Sequence, residues 1–189
     1  MRHWLLLLLL LAAPARAQED AALARLMAGF AAQPRSTAAF TEEKAIPELD
    51  LPLPSEGTLS WQAPDRLEKH TTSPIDEVLR VAGGRLLYER PDRGLRREFA
   101  LEEQPEMQAL VEAVRGTLAG DLAALRRHYS IAFTPEAPEH GWRMLLTPLS
   151  LRVRSAVQRI VVSGRGPQVR LIETEGGGGV SRMQIHPRS

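Results

Sequence analysis

The chain has 189 residues, of which 24 are Lys or Arg, 23 are Asp or Glu and none is cysteine, so its formal net charge is +1. This length suffices for one domain with a substantial core, and the balanced charge gives no basic field for nucleic acid. Without cysteine the chain has no disulfide, thiol nucleophile or thiolate metal ligand, and no amino-terminal cysteine to carry a lipid.

The amino terminus has the pattern of a secretory signal peptide. Arg2 precedes an apolar run from Trp4 to Ala13, and Ala15-Arg16-Ala17 has the small-x-small spacing of a cleavage site. The apolar run is too short to span a bilayer, and no later segment is apolar enough for a membrane helix. We therefore expect cleavage before Gln18 and export of residues 18–189 as one soluble domain. A retained membrane anchor is the alternative.

The first half of the expected mature chain predicts one helix followed by six strands. Residues 20–32 carry apolar side chains at helical spacing, and Gln33-Pro34 ends this helix. From Ser36 to Leu101 the period changes to that of strands. The predicted strands are Thr37–Ile46, Gly57–Trp61, Arg66–Thr72, Glu77–Ala82, Arg85–Glu89 and Leu95–Leu101. Gly83-Gly84 predicts a tight hairpin between the fourth and the fifth of them.

The second half predicts two helices followed by five strands. Helical spacing returns after Pro105, is interrupted at Gly116 and Gly120, and continues as a short helix that includes Leu122, Leu125 and His128. The predicted strands are Tyr129–Thr134, Trp142–Thr147, Val157–Ser163, Val169–Glu175 and Val180–Ile185, with turns at Pro135–Gly141, Gly164–Pro167 and Gly176–Gly179. The short connections predict antiparallel neighbours.

No motif in the sequence predicts catalysis or metal binding. The five histidines include no pair at i, i+4 spacing with an intervening glutamate, and the chain has neither a G-x-S-x-G elbow nor a P-loop. Glu42 and Glu43 are neighbours on a predicted strand, so their side chains point to opposite faces and do not share a site. We therefore expect a protein without enzymatic activity, cofactor or metal.

Several short motifs, taken in order, resemble a known family. They are "STAAFTEEK", "GTLSWQAPDRLEK", "VAGGRLLYE", "LVEAVRGTLAGDLAALRRHYSIAF", "GWRMLLTPLS" and "VSRMQI". Their order and spacing are similar to those of the LolA-type periplasmic carriers of outer-membrane lipoproteins, and match a LolA-related branch more closely than the standard carrier. The resemblance covers nearly the whole expected mature chain.

The resemblance implies an α+β fold, an incomplete, curved antiparallel β-barrel of about 11 strands under a lid of about three helices. It also implies an apolar cavity between sheet and lid that holds acyl chains. The candidate lipid-binding residues, with ordinary core packing as the alternative for each, are Phe30, Phe40, Leu59, Trp61, Leu67, Leu87 or Tyr88, Leu110, Val114, Leu118, Trp142, Met144 and Leu146, together with Leu26.

Two basic residues match positions of the family pattern. Lys44 stands where the family has a basic residue that links the sheet to the lid, although a lysine is a weaker and less directional clamp than an arginine. Arg66 follows the proline turn and is a candidate for contact with a lipid head group. For both, an exposed surface position is the alternative.

The resemblance implies a monomeric carrier loaded by an inner-membrane exporter and unloaded to an outer-membrane acceptor, with a lipoprotein or a glycolipid as cargo. The chain ends at "MQIHPRS", where standard carriers continue with a further strand and a short helix, so we expect no handover role of that segment. A lipid-responsive sensor on the same fold, in complex with a signalling partner, is the second hypothesis. A lipid-acting enzyme is the third.

Overall fold

A computed structural model of the protein describes residues 12–135 and 141–187. The helices are α1 (Ala12–Ala31), α2 (Pro105–Leu118), α3 (Leu122–His128) and α4 (Leu151–Arg154). The strands are β1 (Arg35–Ala45), β2 (Leu53–Gln62), β3 (Arg66–Ser73), β4 (Glu77–Ala82), β5 (Arg85–Arg90), β6 (Leu95–Ala100), β7 (Tyr129–Pro135), β8 (Trp142–Pro148), β9 (Arg159–Arg165), β10 (Gln168–Gly176) and β11 (Gly179–Pro187). Short 3-10 turns lie at Pro91–Arg93 and Leu101–Glu103.

Two predicted segments extend beyond the described residues. Residues 1–11 of the predicted signal peptide and residues 136–140 of the predicted turn between β7 and β8 are not described. Among the helices that are described, none has the length and apolar character needed to cross a membrane.

All 11 strands form one antiparallel sheet in the order β6-β5-β4-β3-β2-β1-β11-β10-β9-β8-β7. The sheet consists of two meanders, β1 to β6 and β7 to β11, which join through the pairing of β1 with β11. The outermost strands β6 and β7 do not pair with each other, so the sheet stays open, as the predicted incomplete barrel requires. The predicted fold class, with three helices of seven or more residues, is confirmed.

The local signals explain most of the element boundaries. Gly83 and Gly84 have φ values of 57° and 72°, which is the left-handed pair that a two-residue hairpin needs and that glycine adopts without strain. Pro105 begins α2, where its missing N–H costs no hydrogen bond. The Asp121 side chain caps α3 by accepting a hydrogen bond from the Ala124 N–H at 2.8 Å.

Several boundaries differ from the predictions, and α1 begins at Ala12 instead of residue 20. β2 begins at Leu53 rather than Gly57, because residues from Leu53 onward already pair with β1. β9 begins at Arg159 rather than Val157, which is instead buried in the core after the unpredicted helix α4. α4 is too short for helical periodicity to reveal it. It is marked by Ser150, whose hydroxyl accepts from the Val153 N–H at 3.4 Å.

The helices pack on one face of the sheet, which we call the inner face. Leu23, Met27 and Phe30 of α1 are each at most 3% exposed and belong to a large core over β7 to β11. A smaller core of Val81, Leu86, Leu101 and Val111 lies at the β4–β5 end. Because α2 contributes to both cores, it bridges the two halves of the sheet.

Candidate functional site: an apolar cavity with a polar corner

A cavity of about 590 Å³ lies between the inner face and the helices. Its apolar wall comes from strands of both meanders and from α1 and α2. The sheet supplies Ala38, Leu59, Trp61, Leu67, Leu79, Val81, Leu86, Ile160, Val162, Val169, Ile172, Met183 and Ile185, and the helices supply Phe30, Met107, Leu110, Val111, Val114 and Leu118. The cavity therefore lies between the two packed cores and is roofed mainly by α2.

Seven of the residues predicted as candidate lipid contacts line this cavity. They are Phe30, Leu59, Trp61, Leu67, Leu110, Val114 and Leu118. The strand alternation of β2 and β3 and the helical face of α2 placed these side chains together. Their contact with lipid stays a prediction.

Phe40, Trp142, Met144 and Leu146 do not line the cavity, although all four lie on the inner face. The β8 residues are at most 5% exposed because α1 and α3 pack directly over that part of the sheet. The ring of Trp142 meets that of Phe30 edge-on, with centroids 5.8 Å apart, and its indole N–H donates to the Gly166 carbonyl at 2.7 Å. Leu26 likewise packs against the large core without lining the cavity. For these residues core packing explains the apolar pattern.

The lining residue of β5 is Leu86, which the sequence did not single out. Leu86 pairs with Val81, so both side chains project from the inner face. Leu87 projects from the opposite face. Tyr88 returns to the inner face but lies beyond the cavity, where its hydroxyl donates to Glu77 at 3.1 Å. Because successive residues of a strand face opposite sides of the sheet, a shift of one residue in the prediction replaces a cavity-lining residue with one on the outer face.

The two predicted basic residues take different places. Arg66 is exposed on the outer face at the β2–β3 turn and does not line the cavity. Lys44 is exposed too but lines one end of the cavity, and within the described residues its side chain makes no hydrogen bond or ion pair, to the helices or elsewhere. The expected link from Lys44 to the lid is therefore absent from this arrangement.

One end of the cavity is polar, and we call the group formed by Glu42, Lys44, Lys69, Thr174 and Ser181 the polar corner. All five side chains project from the inner face. Glu42 and Lys44 lie near the end of β1, Ser181 and Thr174 lie on the next strands β11 and β10, and Lys69 reaches the group from the middle of β3, beyond β2. The Lys69 ammonium donates to the Glu42 carboxylate and stands 4.9 Å from the centroid of the Phe40 ring.

Glu42 is held ionised in this corner. Its carboxylate accepts from Lys69, from the Ser181 hydroxyl at 2.5 Å and from the Ser55 hydroxyl at 3.4 Å. Burial alone would raise the pKa of Glu42, but the charge and hydrogen bond of Lys69, with the two hydroxyls, lower it below its usual value. The alternation of β1 places Glu42 beside Phe40 and Lys44, but its pairing with Lys69 required the sheet register, which the sequence does not give.

A further polar atom is isolated in the wall. Trp61 is 4% exposed, and its indole N–H has no hydrogen-bond partner in the described part of the chain. A buried N–H without a partner costs about 1–3 kcal/mol.

Seven large apolar side chains of the described residues are exposed, and all lie at the end of the sheet where β1, β3, β8 and β10 finish. We call this group the apolar rim. It consists of Leu49, Leu51, Leu53, Ile75, Leu149, Leu151 and Val180, with Leu51 and Leu151 77% and 78% exposed. Because Lys44 and Ser181 pair at the same end, the polar corner lies next to the rim.

The wall of the cavity is mostly apolar, with a few ionised groups among the described residues. Among the described residues no group of three or more histidine, aspartate or glutamate side chains could hold a metal ion. Among the ionised groups of the wall, Glu42 pairs with Lys69, and Glu68 pairs with Arg80 outside the wall. Lys44 and Arg35 make no hydrogen bond or ion pair within the described residues. The arrangement suits an elongated apolar ligand with a polar end.

A model of the family described as "Outer membrane lipoprotein carrier protein LolA-like" matches residues 12–184. No curated protein sequence matches the chain significantly.

Three solved structures illustrate the structural similarity. A LolA superfamily protein from Nitrosomonas europaea is 11% identical with a TM-score of 0.42, covering 87% of this chain and 92% of that one. A DUF1329 family protein from Desulfovibrio piger is 10% identical with a TM-score of 0.45, covering 93% and 92%. MucB, solved in complex with MucA(peri), is 12% identical with a TM-score of 0.42, covering 89% of this chain and 56% of that one.

Proposed function

Because the chain belongs to the family of LolA-like outer membrane lipoprotein carrier proteins, we propose that it is a periplasmic carrier of acyl chains. Its cargo is a lipoprotein or a glycolipid on the way from the inner to the outer membrane. The observation that carries the proposal is the apolar cavity of about 590 Å³ between sheet and helices. This volume falls within the range of about 300–1,000 Å³ that is usual for ligand pockets.

Elementary energetics explains why such cargo needs a carrier. Exposing an acyl chain of about 15 methylenes to water costs about 0.8 kcal/mol for each, or about 12 kcal/mol in all. At about 1.4 kcal/mol per factor of ten, free passage through an aqueous compartment is suppressed by eight or nine orders of magnitude. A protein cavity replaces most of that lost apolar environment.

The chemistry of the wall supports a carrier that also releases its cargo. Phe30 and Trp61 are the aromatic side chains among the described lining residues, and the other apolar ones are aliphatic or methionine. Flexible aliphatic walls adapt to chains of different shape, because they impose no fixed stacking geometry. The protein acts by binding, without a cofactor and without catalysis.

The route of the cargo is part of the same proposal. Cleavage before Gln18 delivers the protein to the periplasm as a monomer, and an inner-membrane exporter and an outer-membrane acceptor load and unload it. The apolar rim supports such partners, since exposed apolar side chains gathered at one end of a protein mark interaction surfaces.

The decisive experiment is native mass spectrometry of the protein purified from the periplasm of its own host, followed by lipid extraction. We expect the protein mass to correspond to residues 18–189, and we expect one bound acylated molecule per protein. An empty protein that also ignores added fluorescent fatty-acyl probes would overturn the carrier function. A full-length mass would overturn the cleavage prediction alone.

The same preparation separates the carrier from a sensor. Co-purification of a stoichiometric membrane-bound regulator, with binding that depends on lipid, would favour the sensor. Transfer of the bound lipid to outer-membrane vesicles in the presence of the periplasmic fraction would favour the carrier.

A further inference from the structure

The chain's two lysines, Lys44 and Lys69, both line the cavity. Every other basic side chain, apart from the histidines, is an arginine, and there are 22 of them, from 24 Lys and Arg less the two lysines. Lysine carries a compact charge on a flexible four-carbon stem, whereas arginine suits fixed bidentate pairs. Both of the compact ammonium charges of the chain therefore lie in the cavity wall.

The polar corner has a net charge of +1. Lys69 and Glu42 neutralise each other through their hydrogen-bonded ion pair, and Lys44 contributes the remaining charge. Within the described residues no side chain compensates Lys44. The hydroxyl of Thr174 lies in the same wall, on the strand that pairs with β11 at Ser181. One uncompensated cation with neighbouring hydroxyl donors is a favourable place for an anionic oxygen.

We propose that the polar corner binds the anionic head group of an amphiphile whose acyl chain lies in the apolar part of the cavity. Lys44 supplies the charge, and the hydroxyls of Thr174 and Ser181 supply hydrogen bonds. Glu42 holds Lys69 in place and limits the corner to a single positive charge. The chemistry fits a carboxylate or a phosphate monoester. This inference rests on the proposed acyl-carrying function, because it assigns the polar end of the same ligand.

The geometry explains why the corner stands at one end of the cavity. Glu42, Lys44 and Ser181 lie where β1 ends and β11 begins, beside the exposed apolar rim. A head group in the corner leaves the acyl chain directed along the inner face toward Leu59, Trp61 and the α2 side chains.

The test compares four amphiphiles with chains of 12 carbons, each below its micellar concentration. They are laurate, dodecyl phosphate, the uncharged lauroylglycerol and dodecyltrimethylammonium, and their affinities are measured by displacement of a fluorescent fatty-acyl probe. Hydrogen bonds to charged groups contribute about 1.5–3 kcal/mol, so we expect laurate or dodecyl phosphate to bind at least about tenfold more tightly than lauroylglycerol. Whichever anion binds more tightly identifies the head group as carboxylate or phosphate.

Three variants assign the effect to the corner. Lys44→Gln should remove the preference for the anion, whereas Glu42→Gln raises the corner charge to +2 and should strengthen it. Arg66→Gln removes the same charge from the outer face and should leave the preference unchanged. Circular dichroism and urea unfolding establish that each variant is folded.

A second readout uses the scarcity of lysine. Reductive ¹³C-methylation labels Lys44 and Lys69 while preserving their charge, and Lys44→Gln assigns the two resonances. Binding of laurate should shift the methyl resonance of Lys44, while lauroylglycerol should leave it unchanged, because only laurate places an anion beside the ammonium.

Each outcome decides one of the two proposals. Equal affinity for charged and uncharged heads, a preference for the cationic amphiphile, or a preference that survives Lys44→Gln overturns the head-group site and leaves the carrier intact. Failure of all four amphiphiles to bind overturns the carrier function itself.

Discussion

A carboxylate at Val114 tests whether the roof of the cavity contacts cargo. Val114 lines the cavity from α2 and is half-buried, so Val114→Glu places a charge among acyl methylenes. We expect dodecyl-chain binding to weaken by at least about a hundredfold, since burying a charge without a partner costs several kcal/mol. Fluorescent fatty-acyl probe titration measures the loss.

The matched control adds the same carboxylate to the same helix. Gln108 lies on α2 but does not line the cavity, so Gln108→Glu should bind the probe as the parent does. Unaltered binding by Val114→Glu would contradict the placement of cargo under α2. Loss of the sheet signal in circular dichroism would instead show that Val114 serves core packing.

Because of Glu42, the stability of the protein should decrease as the pH becomes acidic. The pKa of Glu42 is lowered in the folded state by Lys69 and two hydroxyls, despite the opposing effect of burial, so its contribution is present above the usual value of 4.5 and is lost as pH falls through the lower folded value. We expect Glu42→Gln to lower the free energy of unfolding by on the order of 1–3 kcal/mol at pH 7. Between pH 4.5 and 2.5 the variant should lose less of its free energy of unfolding than the parent protein. Urea unfolding at both pH values measures this.

Glu43→Gln is the control for Glu42. Glu43 lies on the same strand with an exposed side chain that makes no hydrogen bond or ion pair among the described residues. The Glu43→Gln variant should follow the parent at every pH. A parallel acid response of the parent and Glu42→Gln would show that the ion pair does not contribute to stability.

At the scale of elements, the contact between α2 and α3 depends on a glycine. A Cβ at Gly116 would stand 2.8 Å from Cγ and Cδ2 of Leu125, a side chain only 1% exposed. Gly116→Ala gains about 1 kcal/mol of helix propensity but overpacks the core by about 1–3 kcal/mol. We expect a net destabilisation of about 0.5–2 kcal/mol by urea unfolding.

A double-mutant cycle isolates that contact. In a Leu125→Ala background the space is free, so Gly116→Ala should there become stabilising by up to about 1 kcal/mol. A stabilising effect of Gly116→Ala alone would contradict the close packing of α2 on α3.

The sequence predicted the elements well because their signals are local. Period-two alternation and the Gly83-Gly84 turn specified the strands around them, and Pro105 specified the start of α2. The face of a strand was predicted less reliably, since β5 carries Leu86 and Leu87 side by side and only its pairing with Val81 decides which one faces inward. α4 was missed because four residues contain hardly more than one helical turn.

At the scale of the whole molecule, residue patterns do not separate a filled core from a cavity. Trp142 and Leu59 both project from the inner face. Trp142 is covered by α1 and belongs to the large core, whereas Leu59 lines the cavity. The difference depends on where the helices lie across the sheet, which no strand period encodes. The cavity was therefore predicted from the family resemblance alone, and the Glu42–Lys69 pair within it was not predicted at all.

The cavity also predicts how the whole molecule responds to its ligand. An acyl chain bound between the two cores adds packing contacts with both, so it should stabilise the folded state as a unit. At a free ligand concentration of about 100 Kd the gain is about 2.7 kcal/mol. For a domain of this size each kcal/mol raises Tm by about 2–4 °C, so we expect dodecyl phosphate to raise Tm by about 5–10 °C.

Differential scanning calorimetry across a concentration series measures the shift in Tm, with Val114→Glu as the variant that should show none. Mass action requires Tm to keep rising with the logarithm of ligand concentration. An absent shift would mean that the amphiphile does not bind the folded protein, and an equal shift in Val114→Glu would mean that it binds outside the cavity.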